Sequence, residues 1–216
     1  MVSIHTRYWL KNDFYHVTTT VVNLLIGRNS NKIKPKARFL NLGCGNKGIQ
    51  TEDWLNCDGF LQSSVDYVFD ITGKMPFKDA RFEGIFSEHF FEHLIPDQAN
   101  IFLSECLRVL KPGGVLRLSV PDGELYLNRY FNDHEWMMQR RPNVRPRTRM
   151  AIVNEVFRQG FEHQFCYDFE TIKVVVEETG FKDIRRFDFQ TSNTPELLID
   201  QESRKFESLY VEAIKP

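Results

Sequence analysis

The residues whose types and spacing can do chemistry fall between Asn41 and Tyr167. The turn Asn41-Leu42-Gly43-Cys44-Gly45-Asn46-Lys47-Gly48 follows an apolar run. Glycines there let backbone amides approach a nucleotide-like ligand without side-chain clash. Gly43, Gly45 and Gly48 also spell the dinucleotide pattern Gly-x-Gly-x-x-Gly. That pattern needs a helix aimed at a pyrophosphate and an acid ~20 residues on. Here Asp58 follows Gly45 by only 13 positions, and Gln50 to Trp54 leaves little room for a long helix. A ligand without a pyrophosphate fits better. Asp58 offers two acceptor oxygens to a ribose diol, and Asp70 is placed to take an exocyclic amine such as that of adenine.

Proton-transfer candidates are His89, Glu92, His93 and His163, with Asp122 and Tyr167 as orienting groups. His89 and His93 stand four apart, a spacing that can share a metal on one helical face. No third ligand is evident in the sequence, so no metal is expected, and His93 reads as a packing or capping residue. His89 and His163 are the two expected catalytic residues. Arg140, Arg141, Arg145, Arg147 and Arg149 form an arginine-rich loop. It reads either as a solvated surface loop or as a lid over an acceptor bearing a carboxylate or phosphate, which arginine forks match.

The elements that position these groups are legible from periodicity. Arg38–Leu42, Trp54–Cys57 ending at Asp58, Val65–Phe69 ending at Asp70, Gly84–Ser87 and Val115–Val120 read as short buried strands. A helix is expected from Asp97 to Leu110, with Ile101, Leu103, Leu107, Val109 and Leu110 on its apolar face. Lys111-Pro112-Gly113-Gly114 should stop it. Residues 123–165 break the rhythm, with short helices expected near 124–131 and 150–157. A helix over Asp168–Thr179 closed by Gly180, then strands over Phe181–Phe189 and Ser208–Ile214, complete the chain. Strands alternating with crossovers imply a mainly parallel α/β sheet, with ligand at the carboxyl ends of its strands.

The 216 residues suit one domain: an extension over 1–36 and a domain over 37–216 with an insertion at 123–165. The 19 phenylalanines predict an aromatic core. A net charge of −1 gives no global field for nucleic acid or anionic lipid. Cys44, Cys57, Cys106 and Cys166 show no Cys-x-x-Cys pair, which suits a reducing, cytoplasmic setting. The apolar stretch Val17–Gly27 falls short of the ~20 residues that cross a bilayer and reads as an amphipathic helix or strand. No signal-peptide pattern precedes it.

Four ordered segments carry a resemblance. Residues 39–45 (FLNLGCG), 76–85 (PFKDARFEGI), 88–94 (EHFFEHL) and 105–122 (ECLRVLKPGGVLRLSVPD) resemble successive motifs of the class I S-adenosylmethionine-dependent methyltransferases. The likeness is greatest to small type 11-like members associated with surface-polysaccharide genes. It covers residues 37–122 and more weakly the tail, through 160–167 and 208–213.

The resemblance implies a Rossmann-like methyltransferase fold, in which a mostly parallel seven-stranded sheet has an antiparallel last strand and helices on both faces. It implies S-adenosyl-L-methionine as cofactor. Gly43, Cys44 and Gly45 would line its methionine part, Asp58 its ribose, and Asp70 with Ile71 its adenine, while Ser87 and Glu88 would lie beside the sulfonium. Asn41 stands where the family most often has an acid, and the third glycine usually comes one position before Gly48, so altered cofactor contacts are expected there. The activity implied is methyl transfer to a small-molecule or carbohydrate acceptor, anionic if the arginine loop is a lid. An NAD(P)-dependent oxidoreductase and a non-catalytic methyltransferase-like binding protein are the alternatives.

Overall fold

The computed structural model describes residues 34–216 and, ahead of them, only Phe14, Val17, Thr18 and Val21. The expectations for residues 1–33, including the amphipathic segment over Val17–Gly27, otherwise lie outside the described residues. Seven strands form one sheet: β1 (Phe39–Leu42), β2 (Trp54–Asp58), β3 (Tyr67–Val68), β4 (Phe82–Glu88), β5 (Leu110–Pro121), β6 (Lys182–Phe187) and β7 (Ser208–Ile214). Their order is β3-β2-β1-β4-β5-β7-β6. The pairs β1·β2, β1·β4, β2·β3 and β4·β5 are parallel, and β7 runs antiparallel to both β5 and β6, so β7 alone is reversed. The five described helices are α1 (Pro96–Val109), α2 (Gly123–Asn132), α3 (His134–Arg140), α4 (Arg149–Arg158) and α5 (Phe169–Thr179).

Alternation along the strands divides the core, since successive side chains point to opposite faces. Leu40, Leu42, Leu55, Cys57, Ile85, Leu116, Leu118, Val120, Leu209, Val211 and Ala213 belong to the main cluster, which they share with Phe102, Leu103 and Cys106 of α1 and Ile172 and Val176 of α5. The α1 face is rotated from the expected one: Ile101 is exposed, and Ala99, Phe102, Leu103, Cys106 and Val109 are buried. The aromatic core is present as edge-to-face contacts among Tyr67, Phe69, Phe77 and Phe82.

The opposite face is covered differently. Phe39, Trp54 and Phe86 pack on Leu197, which lies in the short 3-10 turn Pro195–Leu197 of the β6–β7 connection. That face is polar toward β5 and β7. Arg117, fully buried, donates to both oxygens of Asp200 at 2.9 and 2.6 Å and to Glu212 at 2.8 Å. A buried cation is tolerated only when paired in this way.

Several boundaries differ from those expected. β3 contracts to two residues, and β4 lengthens to Phe82–Glu88. The Lys111–Gly114 turn does not separate α1 from β5: the helix ends at Val109, and the strand begins at Leu110, which pairs with Phe82 across a register shift. Gly113 meets that path with φ +76°. Helix α3 was not expected. Asp133 closes α2 and opens α3, its carboxylate accepting the Trp136 amide at 3.0 Å. The helices α2, α3 and α4 enclose a second small core of Tyr126, Met137, Ile152, Val153 and Val156.

Candidate active site

The carboxyl ends of β1, β2, β3 and β4 lie side by side, so the loops that follow them meet at one edge of the sheet. After β1 the chain turns through Gly43 (φ +70°) and Gly45 (φ +52°), backbone angles that suit glycine. A Cβ on Gly43 would lie 2.5 Å from the Phe90 ring, whereas nothing lies within 4 Å of one on Gly45. The amides of Gly43 and Cys44 donate to the Cys57 carbonyl at 2.9 and 3.2 Å, which pins the turn to β2. Gly48 serves packing: a Cβ there would meet the Ser64 carbonyl oxygen at 2.2 Å. No helix forms between the turn and β2. The helix N-terminus that a pyrophosphate site uses is therefore missing from this connection.

Asp58 closes β2. Its Oδ2 accepts the Gly45 amide at 2.8 Å and its Oδ1 the Phe60 amide at 2.9 Å. Burial raises its pKa, and these amides oppose the rise. Asp70 follows β3 and is exposed, with Oδ1 accepting the Thr72 amide at 2.9 Å and the Thr72 hydroxyl at 2.6 Å. Ile71 turns inward and joins the main core. Asn41 is also buried: its amide donates to Asn56 Oδ1 at 3.3 Å, and the same oxygen accepts the Ile49 amide at 2.7 Å. Its side chain thus ties β1 to Asn56 of β2 just before the glycine turn.

Ser87 and Glu88 end β4, both buried. Glu88 Oε1 accepts the Gln201 amide at 3.0 Å, while among the described residues Glu88 Oε2 and the Ser87 hydroxyl have no hydrogen-bond partner. Burial raises the Glu88 pKa. His89 then takes φ +50°, a left-handed conformation that is strained for a non-glycine residue and turns the chain off the sheet. Its Nε2 lies 2.8 Å from the Ser208 hydroxyl, which itself donates to the Arg204 carbonyl at 2.9 Å. The ring therefore donates through Nε2, and the lone pair rests on Nδ1, 3.4 Å from Glu92 Oε1. Burial drives the His89 pKa well down.

Near His89, Glu92 is buried, and among the described residues neither of its oxygens has a hydrogen-bond partner. Burial pushes its pKa up to about 8. His163 Nε2 lies 3.8 Å from Glu92 Oε1, and the rings of His93 and His163 meet edge to face at 4.8 Å. Burial pushes His163 down to about 4 and lowers His93 as well.

The segment 123–158 is attached above this edge. Asp122 caps α2 through the Leu125 amide at 3.0 Å and accepts Arg186 at 2.6 Å. Tyr167 bridges to Asp122 and stacks on Phe91 at 4.9 Å. The main anchor is Glu207, which sequence reasoning missed. This buried carboxylate accepts Tyr126 Oη at 3.1 Å, Arg204 at 2.9 Å and Arg141. A lone glutamate before a strand carries no local signal of burial, because such residues are mostly exposed.

The five loop arginines all make contacts within the chain, Arg141 with Glu207. Arg145 donates to the carbonyls of Pro142 and Val144, and Arg147 to those of Arg141 and Met138. Arg149 donates to the Tyr130 carbonyl and lies over its ring, while Arg140 lies over Trp136 and Phe206. A cleft of about 700 Å³ nevertheless opens between this loop and α4, bordered by Arg140, Arg141, Arg145, Asn143, Asn154 and Glu155.

Residues 56–118 match the family described as "Methyltransferase domain", a stretch that runs from within β2 into β5 and covers less than a third of the chain. Among solved structures, an S-adenosylmethionine-dependent methyltransferase from Archaeoglobus fulgidus aligns with 96% of this chain and 99% of its own, at 16% identity and a TM-score of 0.50. One from Thermotoga maritima aligns with 98% and 94%, at 15% identity and a TM-score of 0.51. No protein of curated function matches the sequence. This chain thus shares its fold with those solved S-adenosylmethionine-dependent methyltransferases, and its residues 56–118 are similar to a methyltransferase domain. Among the described residues no helix is long and apolar enough to cross a membrane.

Proposed function

We propose that the chain transfers the methyl group of S-adenosylmethionine to a small-molecule or carbohydrate acceptor held between the sheet edge and the helical segment 123–158. The cofactor supplies a methyl group already activated on sulfur, so holding the acceptor in line provides most of the acceleration. The observation that carries the cofactor half is the set of acids at successive strand ends, Asp58, Asp70 and Glu88, around a glycine turn with no helix behind it. Negative groups there disfavour a pyrophosphate and favour a ligand that bears a sulfonium and an ammonium. This reading argues against the dinucleotide alternative.

In this reading Gly43, Cys44 and Gly45 line the methionine part. Asp58 binds the ribose hydroxyls through the lone pairs its two backbone bonds leave free, Asp70 and the backbone at Ile71 hold the adenine, and Ser87 and Glu88 face the sulfonium. Asn41 positions the turn. His89 is proposed as the acceptor-facing residue on its place at the end of β4. His163 is not carried forward as a base, because its ring lies behind Glu92 with Nδ1 on the Val156 carbonyl at 2.6 Å.

The acceptor is proposed to enter by the cleft beside Arg140, Arg141 and Arg145. Arg141 reaches Glu207, which adjoins Ser208, and Ser208 contacts His89, so a polar path links cleft to sheet edge. Such a lining suits a hydroxyl-rich molecule carrying an acidic group. The test is release of S-adenosylhomocysteine across a panel of uronic acids, sugar phosphates, neutral sugars and small amines. Turnover on the acidic sugars is expected, and turnover on proteins or nucleic acids alone contradicts the acceptor class.

The cytoplasmic setting, the extension over 1–36 and the domain over 37–216 with its insertion at 123–165 are part of the same proposal.

A further inference from the structure

We propose that Glu92, His93 and His163 form a binding site for a zinc-class divalent metal ion. Each offers one ligand atom, and the three atoms lie within 4.8 Å of one another. The sequence spacing pointed to His89 and His93 and named no third ligand. The fold builds a different set, because His163 arrives from 70 positions beyond His93.

Tautomers decide the chemistry. His93 Nδ1 lies 3.0 Å from the Glu162 carbonyl oxygen and His163 Nδ1 lies 2.6 Å from that of Val156. A carbonyl only accepts, so each Nδ1 carries the proton and each Nε2 presents a lone pair. An imidazole held through one nitrogen by a carbonyl, with the other nitrogen free, is the arrangement that orients metal-binding histidines. Glu92 stands beside them, its Oε1 3.8 Å from His163 Nε2, and among the described residues neither carboxylate oxygen has a hydrogen-bond partner. Buried acceptors with no donor are costly, and a shared cation removes the cost for all of them at once.

The scaffold is fixed on both sides. The Glu92 carbonyl accepts the Gln164 amide at 2.8 Å and the Phe165 amide at 3.2 Å, so the two ligand-bearing segments cannot slide apart. The nearby cations Arg141 and Arg204 are both paired with Glu207, which limits their repulsion of an ion. Two histidines and one carboxylate are a zinc donor set that leaves a position for water. Bonds of ~2.0–2.1 Å would require the ligand atoms to draw in by about 1 Å, a movement open to the half-buried His93 ring.

The full chain, free of affinity tags and stripped with a chelator, is titrated with zinc by calorimetry and with cobalt(II) by visible absorption. One ion per chain is expected, with a tetrahedral cobalt band and a rise in the thermal midpoint. His93→Ala and Glu92→Gln should each weaken binding by on the order of 100-fold. His93 is half-buried, so its metal-free variant should melt close to the parent and keep the test independent of folding. Absence of stoichiometric binding by the parent, or binding that persists in the His93→Ala/His163→Ala double variant, overturns the site. Binding of S-adenosylhomocysteine to the stripped protein is measured alongside, so failure of the metal site and failure of the methyltransferase reading are read separately.

Discussion

The carboxylate of Asp58 holds the amide of Gly45 at 2.8 Å. The acid at the end of β2 thus shapes the glycine turn at the end of β1 before a ligand arrives.

Asp58→Ala should weaken S-adenosylhomocysteine binding by about 10- to 100-fold, the range for losing a charge-assisted hydrogen bond worth ~1.5–3 kcal/mol. Asp58→Asn should fall between the two. Because burial raises the Asp58 pKa, the carboxylate is lost on acidification earlier than an ordinary aspartate. Affinity should therefore decline as pH falls through that raised value, and the decline should be absent in Asp58→Ala. Titration calorimetry across pH checks both.

Gly43 and Gly45 should respond differently to alanine. Both hold positive φ, which costs a residue with a Cβ ~1–2 kcal/mol. At Gly43 the new Cβ also overlaps the Phe90 ring at 2.5 Å, adding an overpacking cost of ~1–3 kcal/mol. Thermal or urea melts should rank Gly43→Ala clearly below Gly45→Ala, and Phe90→Ala should partly rescue the former alone.

Arg117→Met should destabilise the chain by ~3–5 kcal/mol, since it strands two buried carboxylates. Asp200 would lose both its bonds to Arg117, and with them the β6–β7 connection would loosen from the sheet. Urea denaturation measures the loss, and faster proteolysis within residues 188–201 would report its location.

Asp168→Ala should cost ~1 kcal/mol, the usual value of a helix N-cap. Asp168 Oδ1 accepts the Thr171 amide at 2.8 Å, and bonding to Thr171 lowers the Asp168 pKa. A carboxyl whose folded pKa lies below its unfolded value adds stability that is present above the unfolded value and is lost as pH falls through the folded one. The gap between parent and variant should accordingly close in acid, as chemical denaturation at several pH values will show.

What sequence could reveal here followed the range of each signal. Strands such as Trp54–Asp58 and Ser208–Ile214 announce themselves by short apolar runs and by the acid or turn at their ends, and Asp168 with Gly180 brackets α5 by local capping chemistry. Glu207 and Arg117 did not stand out, because burial of a charge depends on partners distant in sequence, here Tyr126 and Asp200. The inward turn of the Ile71 side chain was not legible, since the two residues of β3 give no alternation from which to infer its direction. The approach of His163 to Glu92 likewise depends on how the residues after α4 return to the sheet.

The most direct measurement is a calorimetric titration of the purified chain with S-adenosylhomocysteine and, in parallel, with NAD. Saturable binding of S-adenosylhomocysteine that is weakened by Asp58→Ala, with no heat from NAD, is the result expected. Tight NAD binding together with indifference to S-adenosylhomocysteine would contradict the cofactor assignment.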